Sequence, residues 1–119
     1  MDNFTLVRPE HLNHHGYLFG GIMLKWVDEN AWMAATRDYP GCSFVTINME
    51  ACHFKQPVKN GAILRYHMEE VERGQTSLTY LVTVFADEPG ATVEKEVFST
   101  KVTFVRLDEA EKPCALPVK

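Results

Sequence analysis

The chain has 119 residues, a length at which a single domain is the commonest arrangement. Hydrophobic residues make up 45% of the sequence and charged residues 24%, a balance that excludes an intrinsically disordered protein and predicts a packed core. The net charge of −4 and the lack of a basic stripe exclude a nucleic-acid-binding protein, which needs clustered Lys and Arg to neutralise phosphates.

The N-terminal sequence and the cysteines bear on location. The stretch MDNFTLVRPEH has no basic start followed by an apolar run, and no apolar stretch approaches bilayer length. We therefore expect a cytoplasmic protein without a membrane partner. The three cysteines are Cys42, Cys52 and Cys114. Their odd number and the lack of CxxC spacing indicate reduced thiols, and neither a disulfide framework nor a zinc ribbon.

A short strand is predicted near Phe4 to Val7, and after it a loop runs from His11 into a helix through two glycines. The first N–H groups of a helix lack intrahelical partners and carry the positive end of the helix dipole, so they can hold a developing negative oxygen. Glycine lets a substrate carbonyl approach the backbone closely. The pattern indicates an oxyanion site at Gly20 and Gly21, although two glycines also suit a sharp turn alone.

The helix is predicted from Gly20 to Thr36, because this stretch contains good helix formers and no proline and stops before the turn-forming residues 38–41. Apolar residues cover nearly every face, so we expect other structure to wrap it almost completely. Asp28 lies among them, with Leu24 and Trp32 one turn away. Burying a carboxylate there costs several kcal/mol of stability unless a partner group pairs with it, so an unpaired one indicates a functional role. It is either an interface carboxylate satisfied by a partner subunit or a catalytic group.

Four longer strands follow, rich in Val, Thr, Tyr, Phe and Ile and separated by turns that contain Gly or Pro. Such turns predict antiparallel neighbours, so we expect a consecutive antiparallel sheet of about five strands that curls around the helix, an α+β arrangement. Residues 108–119 are polar and proline-punctuated, typical of a surface extension of the single domain 1–119. The predicted strands are Ser43 to Phe54, Ala62 to Arg73, Ser77 to Ala86 and Val93 to Arg106.

Four features of the sequence together resemble hotdog-fold acyl-CoA thioesterases. Asn13 stands seven residues before Gly20, and Asp28 stands eight after it, as in the Asn/Gln, Gly-Gly and Asp/Glu pattern of that family. The proline-containing stretch 45–61, the turn RGQTS at 73–77 and the tail EKPCALP at 111–117 are similar to the YciA and brain acyl-CoA hydrolase group. The resemblance covers nearly the whole chain.

The resemblance implies hydrolysis of acyl-CoA to coenzyme A and a free acid. Asp28 would act as general base or nucleophile, Asn13 would position the water or the thioester, and the Gly20 amide, with Gly21, would polarise the carbonyl. These roles suit the chemistry, since a thioester needs an activated oxygen nucleophile and an oxyanion donor, while thiolate leaves readily. The resemblance also implies a homodimer in which Asn13 of one subunit faces Asp28 of the other, and dimers that assemble into tetramers or hexamers.

The sequence identifies the residues that bind coenzyme A less clearly. Thr76 and Ser77, in the turn with Gly74, are the best polar candidates, although turn residues need no ligand to explain them. Phe54 and Lys55 complete the predicted substrate-binding set. Lys55 would meet a phosphate or belong to an ordinary solvated surface. No cofactor is expected beyond the coenzyme A of the substrate.

The loop departs from the family pattern. His11-Leu12 stands where many relatives carry Asp-Thr or Asp-Ala, and His14-His15 replaces small or polar residues. Three imidazoles without a carboxylate at a recognised spacing do not predict a metal site. One of them would contact substrate or tune Asp28 through its charge. Because a hotdog hydratase uses a catalytic His, these histidines also allow a hotdog enoyl-CoA hydratase or dehydratase as an alternative function. Two further alternatives are a non-catalytic acyl-CoA-binding module and a purely structural oligomer.

Overall fold

A computed structural model describes residues 1–118, and in this range it contains one long helix and five strands. The helix α1 spans Gly20–Asp38, and a 3₁₀ turn covers Pro9–His11. Every predicted element is present, with bounds that differ by at most two residues, so the α+β class is confirmed. Among the described residues no helix, α1 included, combines the length and apolarity that a bilayer crossing needs. The strands are β1 (Asp2–Leu6), β2 (Ser43–Phe54), β3 (Ile63–Arg73), β4 (Ser77–Asp87) and β5 (Lys95–Leu107).

The strand order in the sheet is β1-β3-β4-β5-β2, and all neighbours are antiparallel. The expected consecutive order is wrong for β2, which pairs with β5 and places Phe44 opposite Arg106. The connection formed by residues 55–62 is too long for a tight hairpin and carries the chain to the far edge of the sheet. There the Gly61 N–H donates to the Val7 carbonyl, and the Val7 N–H donates to the Ala62 carbonyl, both at 2.9 Å. As a result β3 begins beside β1.

One face of α1 and the inner face of the sheet form the core. Ala31, Ala34 and Ala35 are fully buried, and their small side chains let the helix lie close to the strands. The Tyr80 hydroxyl donates to an Asp38 carboxylate oxygen at 2.6 Å and holds the last turn of α1 on the sheet. Burial raises the pKa of Tyr80 far above its ordinary value, and this hydrogen bond raises it further. The largest fully buried side chains include Tyr66, Tyr80, Phe98, Phe104, Leu64 and Leu78.

The opposite face of α1 is open in the single chain. Trp32 and Met33 are 44% and 39% exposed, so one chain alone does not provide the nearly complete cover that the sequence predicted. The sheet covers the side that carries the alanines, and on the other side only the start of β2 approaches in the described chain, so Trp32 and Met33 keep much of their apolar surface exposed. Asp28 is half-buried in this part of the helix.

The edge strand β2 is also open. It is 12 residues long, and Phe44 alone among them is buried. Val45 and Ile47 are 40% and 58% exposed. Since β5 is its single neighbour in the described sheet, its other edge presents unpaired backbone N–H and C=O groups. A long apolar edge of this kind is a template for pairing with another strand.

The tail after β5, predicted as a surface extension, is anchored to the sheet. The Cys114 N–H donates to the Arg106 carbonyl, and the Leu116 N–H donates to the Gln75 carbonyl, both at 2.9 Å. Leu116 is buried, so the tail packs beside the turn between β3 and β4. The final residue, Lys119, lies outside the described residues.

Candidate active site

Asn13 opens a tight loop just before α1. Its backbone N–H donates to the Tyr17 carbonyl at 2.7 Å, and Gly16 closes the loop with a φ of +82°, a conformation that favours glycine. The Asn13 Oδ1 accepts from the backbone N–H groups of His15 and Tyr17 at 2.9 and 3.2 Å. These two bonds fix the side chain and occupy its oxygen. The NH₂ group of Asn13 is therefore the part that can donate to a ligand.

The N-terminus of α1 has no side-chain cap. The N-cap residue is Phe19, whose carbonyl accepts from the N–H groups of Ile22 and Met23 at 3.0 and 3.1 Å. No acidic residue lies in the first turn. The N–H groups of Gly20 and Gly21 precede the first intrahelical bond, so they can donate to a negative oxygen.

The two glycines differ in their surroundings. A Cβ on Gly21 would lie 2.8 Å from the Phe19 ring, so a larger residue there would have to displace that ring. A Cβ on Gly20 would meet the Phe54 ring at 3.4 Å, and Gly20 lines an open cavity of about 550 Å³. The structure therefore favours the Gly20 amide over the Gly21 amide as the oxyanion donor.

The cavity beside Gly20 brings four of the predicted site residues together. Asn13, Phe54 and Lys55 line it with Gly20. His15, one of the loop histidines noted in the sequence, also lines it, and so does Gln56, which the sequence did not single out. Lys55, which directly follows β2, forms an ion pair with Glu96 of the neighbouring strand β5. This cavity contains an amide donor, a helix N-terminus and a cation, a set that can bind a polar ligand with a carbonyl group.

Asp28 lines a different cavity. The Thr46 hydroxyl donates to the Asp28 Oδ1 at 2.6 Å, and both residues line a smaller cavity of about 290 Å³ on the open side of α1. One turn further along the helix, the Trp32 Nε1 donates to the Phe44 carbonyl at 3.1 Å. Two hydrogen bonds thus hold this face of α1 against the start of β2. In the described part of one chain, Asn13 and Asp28 thus line two different cavities.

The turn between β3 and β4 holds the remaining predicted residues. The Gly74 N–H donates to the Ser77 carbonyl at 2.9 Å, and the Thr76 carbonyl accepts from the Arg106 N–H at 3.0 Å. A Cβ on Gly74 would lie 2.6 Å from the Ser77 hydroxyl oxygen, so a larger residue there would turn the Ser77 side chain away. None of these turn residues lines either cavity in the described chain. Their predicted contact with coenzyme A stays a prediction.

The histidines of the loop have separate surroundings. The His11 Nδ1 accepts from the Arg8 N–H at 2.9 Å, and its ring packs edge-on against Trp26 with 4.7 Å between ring centroids. The rings of His14 and His15 lie 3.9 Å apart and are exposed. In the part of the chain that the structure describes, no group of three or more His, Cys, Asp or Glu side chains is placed to hold a metal ion.

Comparison with known sequences places this geometry in a family. Residues 15–93 match the model of the thioesterase superfamily. The acyl-CoA thioester hydrolase YciA of Escherichia coli is 30% identical over 121 residues, which cover 97% of this chain and 89% of that protein. Mouse acyl-coenzyme A thioesterase 11 is 29% identical over 107 residues, but the match covers only 18% of its length and 90% of this chain.

Solved structures agree with the sequence comparison. A hexameric hotdog-fold thioesterase of Campylobacter jejuni superimposes with a TM-score of 0.87 at 31% identity, covering 97% of this chain and 88% of that one. An acyl-CoA hydrolase of Staphylococcus aureus in complex with butyryl coenzyme A and coenzyme A superimposes with a TM-score of 0.89 at 29% identity, covering 98% and 71%. Two alanine variants of that enzyme, at an asparagine and at an aspartate fifteen residues later, also match. The chain has the hotdog fold and belongs to the thioesterase superfamily.

Proposed function

We propose that this protein hydrolyses acyl-CoA thioesters to coenzyme A and a carboxylic acid. The observation that carries the proposal is the Asp28 carboxylate, held by the Thr46 hydroxyl at 2.6 Å beside an open cavity on the central helix. Asn13 and Asp28 are also fifteen residues apart, the separation of the two substituted residues in the Staphylococcus aureus enzyme. The similarity to YciA supports the same substrate class.

The proposed chemistry uses three groups of this chain. The Gly20 N–H and the Asn13 NH₂ group donate to the thioester carbonyl oxygen and stabilise the negative charge that develops there. Asp28 either takes the proton of a water molecule whose oxygen attacks the carbonyl carbon, or attacks that carbon itself. In both routes the tetrahedral intermediate collapses, the carbon–sulfur bond breaks and coenzyme A leaves as a thiolate. The first route releases the acid directly, and the proton on Asp28 passes to the thiolate or to solvent; in the second, water hydrolyses the mixed anhydride on Asp28 to release the acid. No cofactor enters these steps.

We infer that two subunits complete each site. Within one chain the oxyanion donors and the carboxylate line separate cavities, so a second copy has to bring its loop at Asn13 over Asp28. The open side of α1 and the open edge of β2 lie next to each other and are both apolar. Burial of these two surfaces by a second copy supports a homodimer, and further assembly of dimers into a hexamer fits the assembly named for the Campylobacter jejuni relative.

The proposal is tested by an assay that detects the free thiol released from a panel of acyl-CoA esters. We expect turnover of at least one chain length well above the uncatalysed rate. Enoyl-CoA hydration is measured on the same preparation, because a hotdog hydratase would be active there and silent in the thiol assay. Binding of acyl-CoA without either reaction would instead indicate a non-catalytic module. If the protein neither binds acyl-CoA nor catalyses either reaction, it is a structural protein.

Thr46→Val should lower kcat about tenfold and leave KM nearly unchanged. The change removes the hydroxyl that orients the Asp28 carboxylate and keeps the shape of the side chain. Thr46→Ser restores the hydroxyl, so it should recover most of the lost kcat in steady-state assays. Equal kcat values in the Val and Ser variants would contradict an orienting role for Thr46.

Ile47→Glu should produce a monomer without thioesterase activity, because it places a charge on the 58% exposed apolar residue of the open β2 edge. Light scattering measures the mass in solution, and the thiol assay measures activity. Val93→Glu changes a residue that is 75% exposed outside any strand, so it serves as the control and should stay dimeric and active. A dimeric Ile47→Glu protein would remove β2 from the interface.

A further inference from the structure

The turn after β4 contacts the connection 55–62 between β2 and β3 through one glutamate. Glu88 directly follows β4, and its side chain is 11% exposed. One carboxylate oxygen accepts from the backbone N–H of Lys59 at 3.1 Å, and the other lies 2.5 Å from the Lys95 Nζ at the start of β5. Each oxygen therefore has its own partner, one in the connection and one in the sheet.

The Glu88 carboxyl group stays ionised at neutral pH. Burial alone would raise its pKa, but the hydrogen bonds from the Lys95 ammonium and the Lys59 N–H outweigh burial and hold the pKa below its ordinary value. An ionised carboxylate accepts a hydrogen bond more strongly than a neutral oxygen does. The bond to the Lys59 backbone is therefore a strong attachment of the connection to the sheet.

The residue after Glu88 adds a second contact with the same connection. A Cβ on Gly61 would lie 3.1 Å from the Pro89 ring, so the turn lies directly over the end of the connection. Gly61 has a φ of +85°, and its N–H donates to the Val7 carbonyl at 2.9 Å. The turn after β4 thus restrains the second half of the connection 55–62.

The connection in turn pairs with the loop that opens at Asn13. Tyr17 lies opposite Lys59 in an antiparallel bridge, and the N–H of the residue after Tyr17 donates to the carbonyl of the residue before Lys59 at 2.8 Å. The Tyr17 N–H donates to the Asn13 Oδ1 at 3.2 Å, and the Tyr17 carbonyl accepts from the Asn13 N–H at 2.7 Å. A continuous series of backbone contacts therefore joins the Glu88 carboxylate to the side chain of Asn13.

We propose that Glu88 is a positioning residue: through the backbone of Lys59 it fixes the loop at Asn13, and so it places the Asn13 NH₂ group for the thioester oxygen. The inference rests on the proposed function, in which Asn13 donates to that oxygen. A misplacement of about 1 Å is enough to lower a rate by as much as a hundredfold. Glu88 acts from outside the site, since in the described chain it lines neither the cavity beside Gly20 nor the cavity at Asp28.

The test compares substitutions at Glu88 with a matched control. Glu88→Ala removes the acceptor and should lower kcat for an acyl-CoA ester about tenfold. Glu88→Gln keeps an oxygen that accepts from the Lys59 N–H, so its kcat should stay within about threefold of the wild type. The control is Glu94→Ala, which removes a glutamate of the same turn whose ion pair is with Arg65 on β3, and it should leave kcat unchanged. If Glu88→Ala does not fold, Glu88→Asp replaces it, because its carboxylate ends one methylene short of the Lys59 N–H.

A double-mutant cycle separates positioning from a general loss of stability. In an Asn13→Ala background, Glu88→Ala should change kcat less than about twofold, because the group that it positions is absent. A tenfold loss in both backgrounds would overturn the link to Asn13. A Glu88→Gln protein as slow as Glu88→Ala would overturn it as well.

Hydrogen–deuterium exchange, measured by mass spectrometry, tests the same link without turnover. Residues 12–18 and 55–62 should exchange about tenfold faster in Glu88→Ala than in the wild type, and Glu94→Ala should leave both segments unchanged. Unchanged exchange of residues 12–18 in Glu88→Ala would overturn the inference even if kcat fell. A wild-type protein that releases no thiol would refute the proposed hydrolysis, and the exchange rates would then still decide whether Glu88 holds the loop at Asn13.

Discussion

Asp28→Asn should reduce acyl-CoA turnover by about two orders of magnitude or more, and the protein should still fold. The amide keeps the size of the carboxylate and can still accept from the Thr46 hydroxyl, which donates to the Asp28 Oδ1 at 2.6 Å in the wild-type protein. It loses the negative charge that takes a proton from water or attacks the carbonyl carbon. The loss should therefore appear in kcat, with KM changed little.

The control for this variant is Asp87→Asn, the same substitution at an exposed residue at the end of β4. It should retain full activity. Circular dichroism and light scattering on both variants separate a lost carboxylate from a lost fold. Near-normal turnover of a folded Asp28→Asn protein would exclude Asp28 as the catalytic group and return it to the role of an interface carboxylate.

Mixing two inactive variants should restore activity if the site is shared. Asn13→Ala alone should cost on the order of ten- to a thousandfold, because it removes a positioning or charge-stabilising donor and leaves the carboxylate in place. A heterodimer of Asn13→Ala and Asp28→Asn contains one site with both residues intact and one site with neither. Since random exchange of equal amounts makes half of the dimers mixed, about one quarter of the wild-type activity should return.

The result can be interpreted only if the exchange of subunits between the two variants is verified. Distinct affinity tags on the two variants allow the heterodimer to be purified and assayed directly. Recovered activity in that fraction would place Asn13 and Asp28 of one site on different subunits. A pure heterodimer that stays as inactive as its parents would contradict the shared site, whatever the activity of Asp28→Asn shows about catalysis.

The elements of the fold were predictable because their signals are local. Helix formers from Gly20 onward and runs of β-branched and aromatic residues gave bounds within two residues of those observed. The strand order was not predictable in the same way. The sequence marks residues 55–62 as a turn, but whether such a segment reverses the chain or crosses to the other edge depends on the pairing of β3 with β1.

The site was predictable in part for the same reason. Asn13, Gly20 and Asp28 fit a spaced pattern, and the structure places Asn13 and Gly20 in one cavity. Thr46 was missed, since a strand threonine eighteen residues from a helix aspartate gives no local sign that the two will meet. The cover of the open side of α1 could not be assigned, because hydrophobicity predicts burial without saying whether the same chain or another one provides it.

The uncapped start of α1 implies a conflict between durability and activity. Engineers who stabilise proteins replace poor N-cap residues with Ser or Asp, and such a change at Phe19 would strengthen the helix by about 1 kcal/mol. The new oxygen would accept from the N–H of Gly21 or Ile22, next to the Gly20 N–H that the proposed reaction needs for its oxyanion. A thermostable variant with Asp at this position would therefore hold a negative charge beside the oxyanion donor and oppose the charge that develops on the thioester oxygen.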